Sequence, residues 1–228
     1  MDDTVGRLRS LFPPRQLDVV IGSLLGDARL ECRSKGIRSG ATARFRVHHG
    51  DKQKEYVFWK YRILRSLVSQ PPRSSSWVNK KRNLSEISWY FHTRSSEKFG
   101  ILHNVFYRNG VKILPKEIFP IFTDRMLAMW FMDDGSNNFH KLTLSTHSLP
   151  LIDQHRIGEF FKERYGICPT IVKDRTQWKL AIGKNDMVSF LSIIEPFVPH
   201  CMSYKVKSPR NDLSAFGLQL NAAERVMR

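Results

Sequence analysis

Apolar positions along this chain fall into two matched series. Residues 17–30, LDVVIGSLLGDARL, and residues 127–136, LAMWFMDDGS, are apolar on nearly every side. That pattern predicts helices buried all round rather than along one face. Each run stops at acid, Asp27 in the first and Asp133–Asp134 in the second. Proline announces both, and Thr123–Asp124 offers an N-cap to the second. Alternation follows each run. Residues 42–49 place Ala43, Phe45 and Val47 on one face and Thr42, Arg44, Arg46 and His48 on the other. Residues 141–147 place Leu142 and Leu144 opposite Lys141, Thr143, Ser145 and His147. These are strands with one wet face.

The series continues in parallel. Helical stretches cover 55–68 and 151–166. Strand pairs follow, one around 77–80 with 86–93, the other TIVKD and QWKLAI about a turn at Asp174–Arg175. In the first pair Ile87, Trp89 and Phe91 are expected inside, and Ser88, Tyr90 and His92 outside. Closing helices cover 97–107 and 186–194. The order helix, two strands, helix, two strands, helix runs twice, predicting an α+β fold of two αββαββα halves. The organisation reads as an N-terminal half at 13–112, a linker at 113–120, a C-terminal half at 121–210 and a tail at 211–228. SQPPRSSSWVNKKRN, residues 69–83, reads as a long loop within the first half.

Charge sharpens this picture. Lys and Arg number 37 against 21 Asp and Glu, a formal net charge of +16, which suits a polyanionic partner and nucleic acid above all. Three scattered cysteines without a CxxC read as reduced thiols rather than a disulfide frame or zinc site. The histidines lack metal-finger or HExxH spacing and read as surface or DNA-facing. Glycine-rich phosphate loops are absent. No apolar run reaches the ~18 residues of a spanning helix. The first residues show no secretory or organellar signal, leaving an organelle matrix or a microbial cytoplasm or nucleoid as the expected location.

An acid ending one apolar helix is ordinarily just the point where the chain meets water. The repetition changes that reading. Gly22 and Gly26 lie four apart and offer close helix contact. Packed in parallel, the two helices would bring Asp27 and Asp134 to one end. Carboxylates so placed repel, or share hard divalent cations that assist phosphodiester hydrolysis.

VIGSLLGDA (20–28) and LAMWFMDDG (127–135) resemble the two signature motifs of the LAGLIDADG homing endonucleases, in particular the single-chain, two-motif, intron-encoded branch. The second keeps the leading Leu–Ala and terminal Asp–Gly; the first has Ala28 in place of glycine. IIEPFVPHCMSYKV (193–206) is similar to a late segment of that branch. The resemblance implies saddle-shaped antiparallel sheets lying along the DNA major groove, and a monomer that cuts both strands of a long target, leaving short 3′ overhangs. It implies Asp27 and Asp134 as metal ligands, with the backbone carbonyls of Ala28 and Gly135, for Mg²⁺ or Mn²⁺ as substitute. Asp133 falls at the seventh motif position, where the first motif has Gly26, and is expected to be a helix-end or packing residue. Lys112 and Lys205 match the family's late basic position near the active site. Such a lysine stabilises charge on phosphate or organises water.

The wet faces then supply DNA contacts: Arg44, Arg46, His48, Tyr90 and His92 in the first half, Lys141, Thr143, Ser145 and His147 in the second. Lys80, Lys81, Lys173, Arg175, Gln177 and Lys179 in or beside the hairpins are assigned mostly to phosphate. The alternatives on the same scaffold are an RNA maturase, with intron RNA as partner, and a non-catalytic DNA-binding regulator. A PD-(D/E)xK nuclease and an intein lack their marks. No membrane or obligate protein partner is expected.

Overall fold

The computed structural model describes residues 4–32, 40–79 and 83–207. A short helix α1 (Thr4–Ser10) precedes the first motif helix α2 (Pro14–Leu25). Proline at the first helical turn costs α2 nothing, because that N–H has no intrahelical partner. The helix stops two residues short of Asp27: Gly26, at φ −98° and ψ −133°, leaves the helical conformation and turns the chain toward strand β1 (Arg29–Glu31). Next come β2 (Arg44–Gly50), α3 (Lys54–Ile63), β3 (Arg73–Asn79), β4 (Leu84–His92) and α4 (Glu97–Phe106). A hairpin of β5 (Tyr107–Arg108) and β6 (Val111–Lys112) and a 3-10 segment (Lys116–Ile121) lead to the second half. That half contains α5 (Asp124–Asp134), β7 (Gly135–Asn137), β8 (Leu142–Leu144), α6 (Leu151–Tyr165), β9 (Thr170–Asp174), β10 (Gln177–Ile182) and α7 (Lys184–Ile194).

The two halves repeat in topology as well as in order. One antiparallel sheet runs β1-β2-β4-β3 and the other β7-β8-β10-β9. Helices cover the apolar side of each sheet. Phe45, Val47 and Phe91 are buried on one sheet and Leu142, Leu144, Leu180 and Ile182 on the other. Between the halves lies the α2–α5 pair. A Cβ on Gly22 would lie 2.5 Å from the Met129 Cβ, and one on Gly26 would lie 2.4 Å from the Asp133 Cβ. The two helices therefore run parallel in near backbone contact, a separation only glycine allows. At their starts the Thr123 hydroxyl donates to Asp18 Oδ1 at 2.8 Å and accepts from the Met126 amide, fulfilling the expected cap. No helix among the described residues is long and apolar enough to cross a membrane.

Several expectations are corrected. Within the stretch at 69–83, read as a loop apart from a strand around 77–80, the strand β3 already begins at Arg73, because the backbone pairs along β4 from Arg73 opposite Tyr90 to Asn79 opposite Leu84. Ile87, expected inside, is 46% exposed, since the outer end of that hairpin projects beyond the helical layer. Ser88, expected outside, is buried beneath the His48 ring, whose Nε2 lies 2.7 Å from its hydroxyl. Strands β1 and β7, three residues each, are too short for alternation to show.

Candidate active site and nucleic-acid interface

Each motif acid sits between the end of its helix and the first strand of its sheet. Asp27 follows α2 and precedes β1; Asp134 ends α5 and precedes β7. Parallel packing carries both to one end of the helix pair. Burial raises the Asp134 carboxyl to about 7, and the charges of Asp27 and Asp133 push it the same way. Burial and the Asp133 charge likewise raise Asp27. Asp27, its side chain 45% exposed, and the more enclosed Asp134 resist ionising together and form an oxygen donor set suited to a hard divalent cation.

The two lysines reach the same place, one from each half, in the same manner. The Asn109–Gly110 turn, left-handed at both residues, forms the two-residue β5–β6 hairpin that presents Lys112. Its ammonium donates to the carbonyls of Leu24, Gly26 and Ala28 at 2.9–3.0 Å. Lys205, ending a 3-10 turn, donates to the carbonyls of Phe131, Met132 and Asp133. Each lysine thus satisfies the carbonyls left open at the end of a motif helix, where the helix dipole favours a cation. Burial lowers both lysines, against the pull of the neighbouring acids. The Ala28 carbonyl, expected among the metal ligands, accepts from Lys112, while Gly135 opens β7 opposite Leu144.

Asp133 packs at the helix end, as expected, and also carries a buried ion pair. With Gly26 opposite it, Asp133 crosses between the helices into the first half. There Lys60 Nζ contacts both its oxygens at 2.7 and 2.9 Å, and the Tyr56 hydroxyl donates to Oδ1 at 2.9 Å. Both side chains of the ion pair are fully buried. Lys60 also lies 3.4 Å from His49 Nε2, and His49 Nδ1 lies 3.5 Å from Asp27 Oδ2. Asp27, His49 and Asp133 are the group of possible metal ligands detected among the described residues. The Lys60 ammonium already stands against that Asp133, so it acts as the internal cation there. His49 is buried, contrary to its expected surface place. Burial and the Lys60 charge lower it to about 4, leaving the ring neutral. Tyr56, Lys60 and His49 were missed in the sequence. The available signal was a lysine one turn beyond Tyr56 on the buried side of α3.

The candidate DNA contacts divide. In the first sheet Arg29, Arg46 and His92 form one row across β1, β2 and β4; His48, Tyr90 and Arg73 form another across β2, β4 and β3. Arg46 stacks over the Tyr90 ring, 4.9 Å from its centroid, and its Nε is buried without a partner. Arg44 is held by Glu31 at 2.6 Å, Arg46 by the same carboxylate at 3.4 Å. Burial would raise Glu31, but hydrogen bonds from Arg44 and Arg29 override it and hold the carboxyl low. The sequence reading overlooked Glu31 because β1 itself escaped notice.

In the second sheet Thr143 is buried rather than wet, its hydroxyl 2.7 Å from that of Ser136. Ser145 meets His147 Nδ1 at 2.8 Å, and Asp174 gathers His147 Nε2 at 3.2 Å and Lys179 Nζ at 2.7 Å. Gln177 lies on the same face as Lys179, whereas Lys173, paired with Trp178, lies on the opposite face. Lys141 is exposed in the turn before β8, and Arg175 occupies the β9–β10 turn with φ at 57°. Lys80 and Lys81 lie outside the described residues.

Comparison with known proteins bears on the family and the fold. The chain is 29% identical over 209 residues to the DNA endonuclease I-ChuI of Chlamydomonas applanata, covering 84% of this chain and 94% of the relative. It is 26% identical over 195 residues to the cytochrome b mRNA maturase bI2 of Debaryomyces hansenii, covering 83% and 72%. Among solved structures, the homing endonuclease I-WcaI bound to its DNA recognition sequence superposes with a TM-score of 0.77 at 22% identity, over 86% of this chain and 87% of that one. I-DmoI in complex with DNA and Ca gives 0.52 at 14%, over 85% and 98%. The family model for LAGLIDADG DNA endonucleases matches residues 17–190, spanning both motif helices and both sheets, and the chain belongs to that family.

Proposed function

We propose that this protein is a site-specific, divalent-metal-dependent endonuclease that hydrolyses both strands of a long DNA target, leaving short 3′ overhangs. The observation that carries the reading is the convergence of Asp27 and Asp134 at one end of a parallel helix pair, each at the edge of a sheet with a polar face. Asp27 and Asp134 would hold Mg²⁺, or Mn²⁺ in its place, each half serving one strand. The donor set fits: both carboxylates are raised by burial and neighbouring charge, a strain that a bound cation relieves. The ion supplies Lewis acidity toward the scissile phosphate and a more acidic water. The carbonyls of Ala28 and Gly135 stand beside the acids. Lys112 and Lys205 fix the two helix ends and add positive charge where phosphate would approach.

The first sheet supplies the base-reading candidates Arg44, Arg46, His48, Tyr90 and His92. Glu31 keeps the arginines extended over the face until DNA arrives. In the second half Ser145, His147, Gln177 and Lys179 share the outward face, and Lys141 and Arg175, in the turns at its edge, would meet phosphate; Lys173, on the opposite face, does not join them. The chain acts as a monomer, since one chain supplies both acids. I-WcaI and I-DmoI, whose folds it shares, are DNA-bound, and I-DmoI is bound with Ca.

Selecting cleaved sites from a randomised duplex library in Mg²⁺ tests this. Recovery of one site family, cut in both strands and lost with EDTA, is expected; binding without cutting at any ion concentration would overturn it. A second reading is favoured by the bI2 relative, a maturase: intron RNA would be the partner, detected as faster splicing of a host intron when protein is added.

A further inference from the structure

The two acids are matched in the backbone but not in their surroundings. Sheet register makes the comparison residue by residue. Arg29, two residues after Asp27, lies opposite Arg46; Ser136, two residues after Asp134, lies opposite Thr143. Three residues further along β2 and beyond β8 stand His49 and Thr146, which are thus equivalent. His49 Nδ1 faces Asp27 Oδ2 at 3.5 Å. Thr146 is turned away, its buried hydroxyl donating to Gln154 Oε1 at 3.0 Å. Among the described residues Asp134 receives no such histidine or hydroxyl.

The His49 ring is oriented from behind. Lys60 Nζ lies 3.4 Å from Nε2, and an ammonium has only protons to offer, so Nε2 is the acceptor. The proton of the imidazole then resides on Nδ1, which faces Asp27 Oδ2 at 3.5 Å while Gln53 also hydrogen-bonds the ring. Lys60 is fixed in turn by both oxygens of Asp133, which enters from the other half across Gly26. A carboxylate that is to ligate a metal is commonly oriented by such a hydrogen bond, and long contacts of this kind tighten when the site is filled.

We propose that His49 is a positioning residue for Asp27, donating from Nδ1, and that the molecule therefore has two unequal strand-cutting centres, only one of them supported in this way. This rests on the endonuclease reading. The N-terminal centre depends on the C-terminal half through Asp133 and Lys60; on Asp134 the N-terminal half acts through the charges of Asp27 and Lys112, and among the described residues no equivalent of the Asp133–Lys60–His49 chain reaches it.

The test uses three variants of the full chain: His49→Ala, His49→Asn and His49→Gln. An asparagine amide stands where Nδ1 was and a glutamine amide where Nε2 was. Glutamine is nearer to histidine in length, so a packing role favours Gln and a donor role favours Asn. On the selected duplex with each strand labelled separately, Ala and Gln are expected to slow one strand by ~10–100-fold. The other strand is cut at the normal rate, and nicked duplex accumulates. Asn is expected to stay within a few-fold of the parent. Mn²⁺ binding to the DNA-free proteins, followed by electron paramagnetic resonance, is expected to weaken for Gln and not for Asn. Equal slowing of both strands, or Asn and Gln behaving alike, overturns the proposal. If the parent cuts neither strand, the endonuclease reading fails by itself; the Mn²⁺ comparison then decides whether His49 supports Asp27. Should His49→Ala not fold, the Asn–Gln pair carries the test.

Discussion

The ends of the two motif helices follow one plan with one exchange. α2 closes on Leu25–Gly26–Asp27 and α5 on Met132–Asp133–Asp134. The last acid is common to both, and so is a lysine from the far end of each half that caps the open carbonyls. The penultimate position is not. The helices are too close for two side chains there, so glycine on one side admits aspartate on the other. What the shared site requires is repeated; what packing permits only once is asymmetric. A chain that carries both halves can use that asymmetry, because the two positions are encoded separately. Asp133 in consequence belongs to the first half by its contacts and to the second by its sequence.

The largest expected effect comes from breaking the buried ion pair. Lys60→Ala leaves Asp133 buried without its cation and is expected to cost about 3–5 kcal/mol, read by chemical denaturation. The double change Lys60→Met with Asp133→Ala should recover much of that loss, because no charge is left stranded. Next is the effect of pH on the metal-free protein. The Asp134 carboxyl is raised from its ordinary 3.8 to about 7 in the fold. The native state therefore holds a proton that the unfolded chain has released, and stability falls as pH rises between those values. Melting temperature is expected to drop from pH 5 to pH 7.5 and to be restored by Mg²⁺; Asp134→Asn should flatten the trend. Gly26→Ala forces a methyl group against the Asp133 Cβ, with about 1–3 kcal/mol expected from overpacking. The equivalent change at the unequal partner, Asp133→Gly, removes the obstruction and strands Lys60 instead. Smallest is Thr123→Ala, which removes one helix cap for about 1 kcal/mol, measured by thermal melting.

Much of the architecture was legible in the sequence because its signals are local and repeated. Two all-round apolar runs ending in acid, alternating strands after each and a long helix ending at Gly166 each announce themselves within a dozen residues. Glycine spacing in VIGSLLGDA disclosed the helix contact. The end of β3 reads as a strand around 77–80, but its start at Arg73–Ser76 was hidden by serines and neighbouring prolines, since strand character there comes from pairing with β4 and not from its own side chains. The buried cluster around Asp133 was hidden for a related reason. Nothing near Lys60 in sequence marks it as the partner of a carboxylate 73 residues away. Histidine at 49 continues the inward face of Ala43, Phe45 and Val47, so the two-residue period does point it inward; the surface or DNA-facing reading follows only from taking the histidines together, for want of metal-ligand spacing.

The account rests on one acid from each half acting together. Asp27→Asn and Asp134→Asn, each measured with the two strands of a cleavable duplex labelled separately in Mg²⁺, test that most directly. Both variants are expected to bind the duplex as the parent does and to lose double-strand cleavage by on the order of 10³-fold, with neither loss repaired by more metal. Full double-strand cutting by either variant would contradict the shared site.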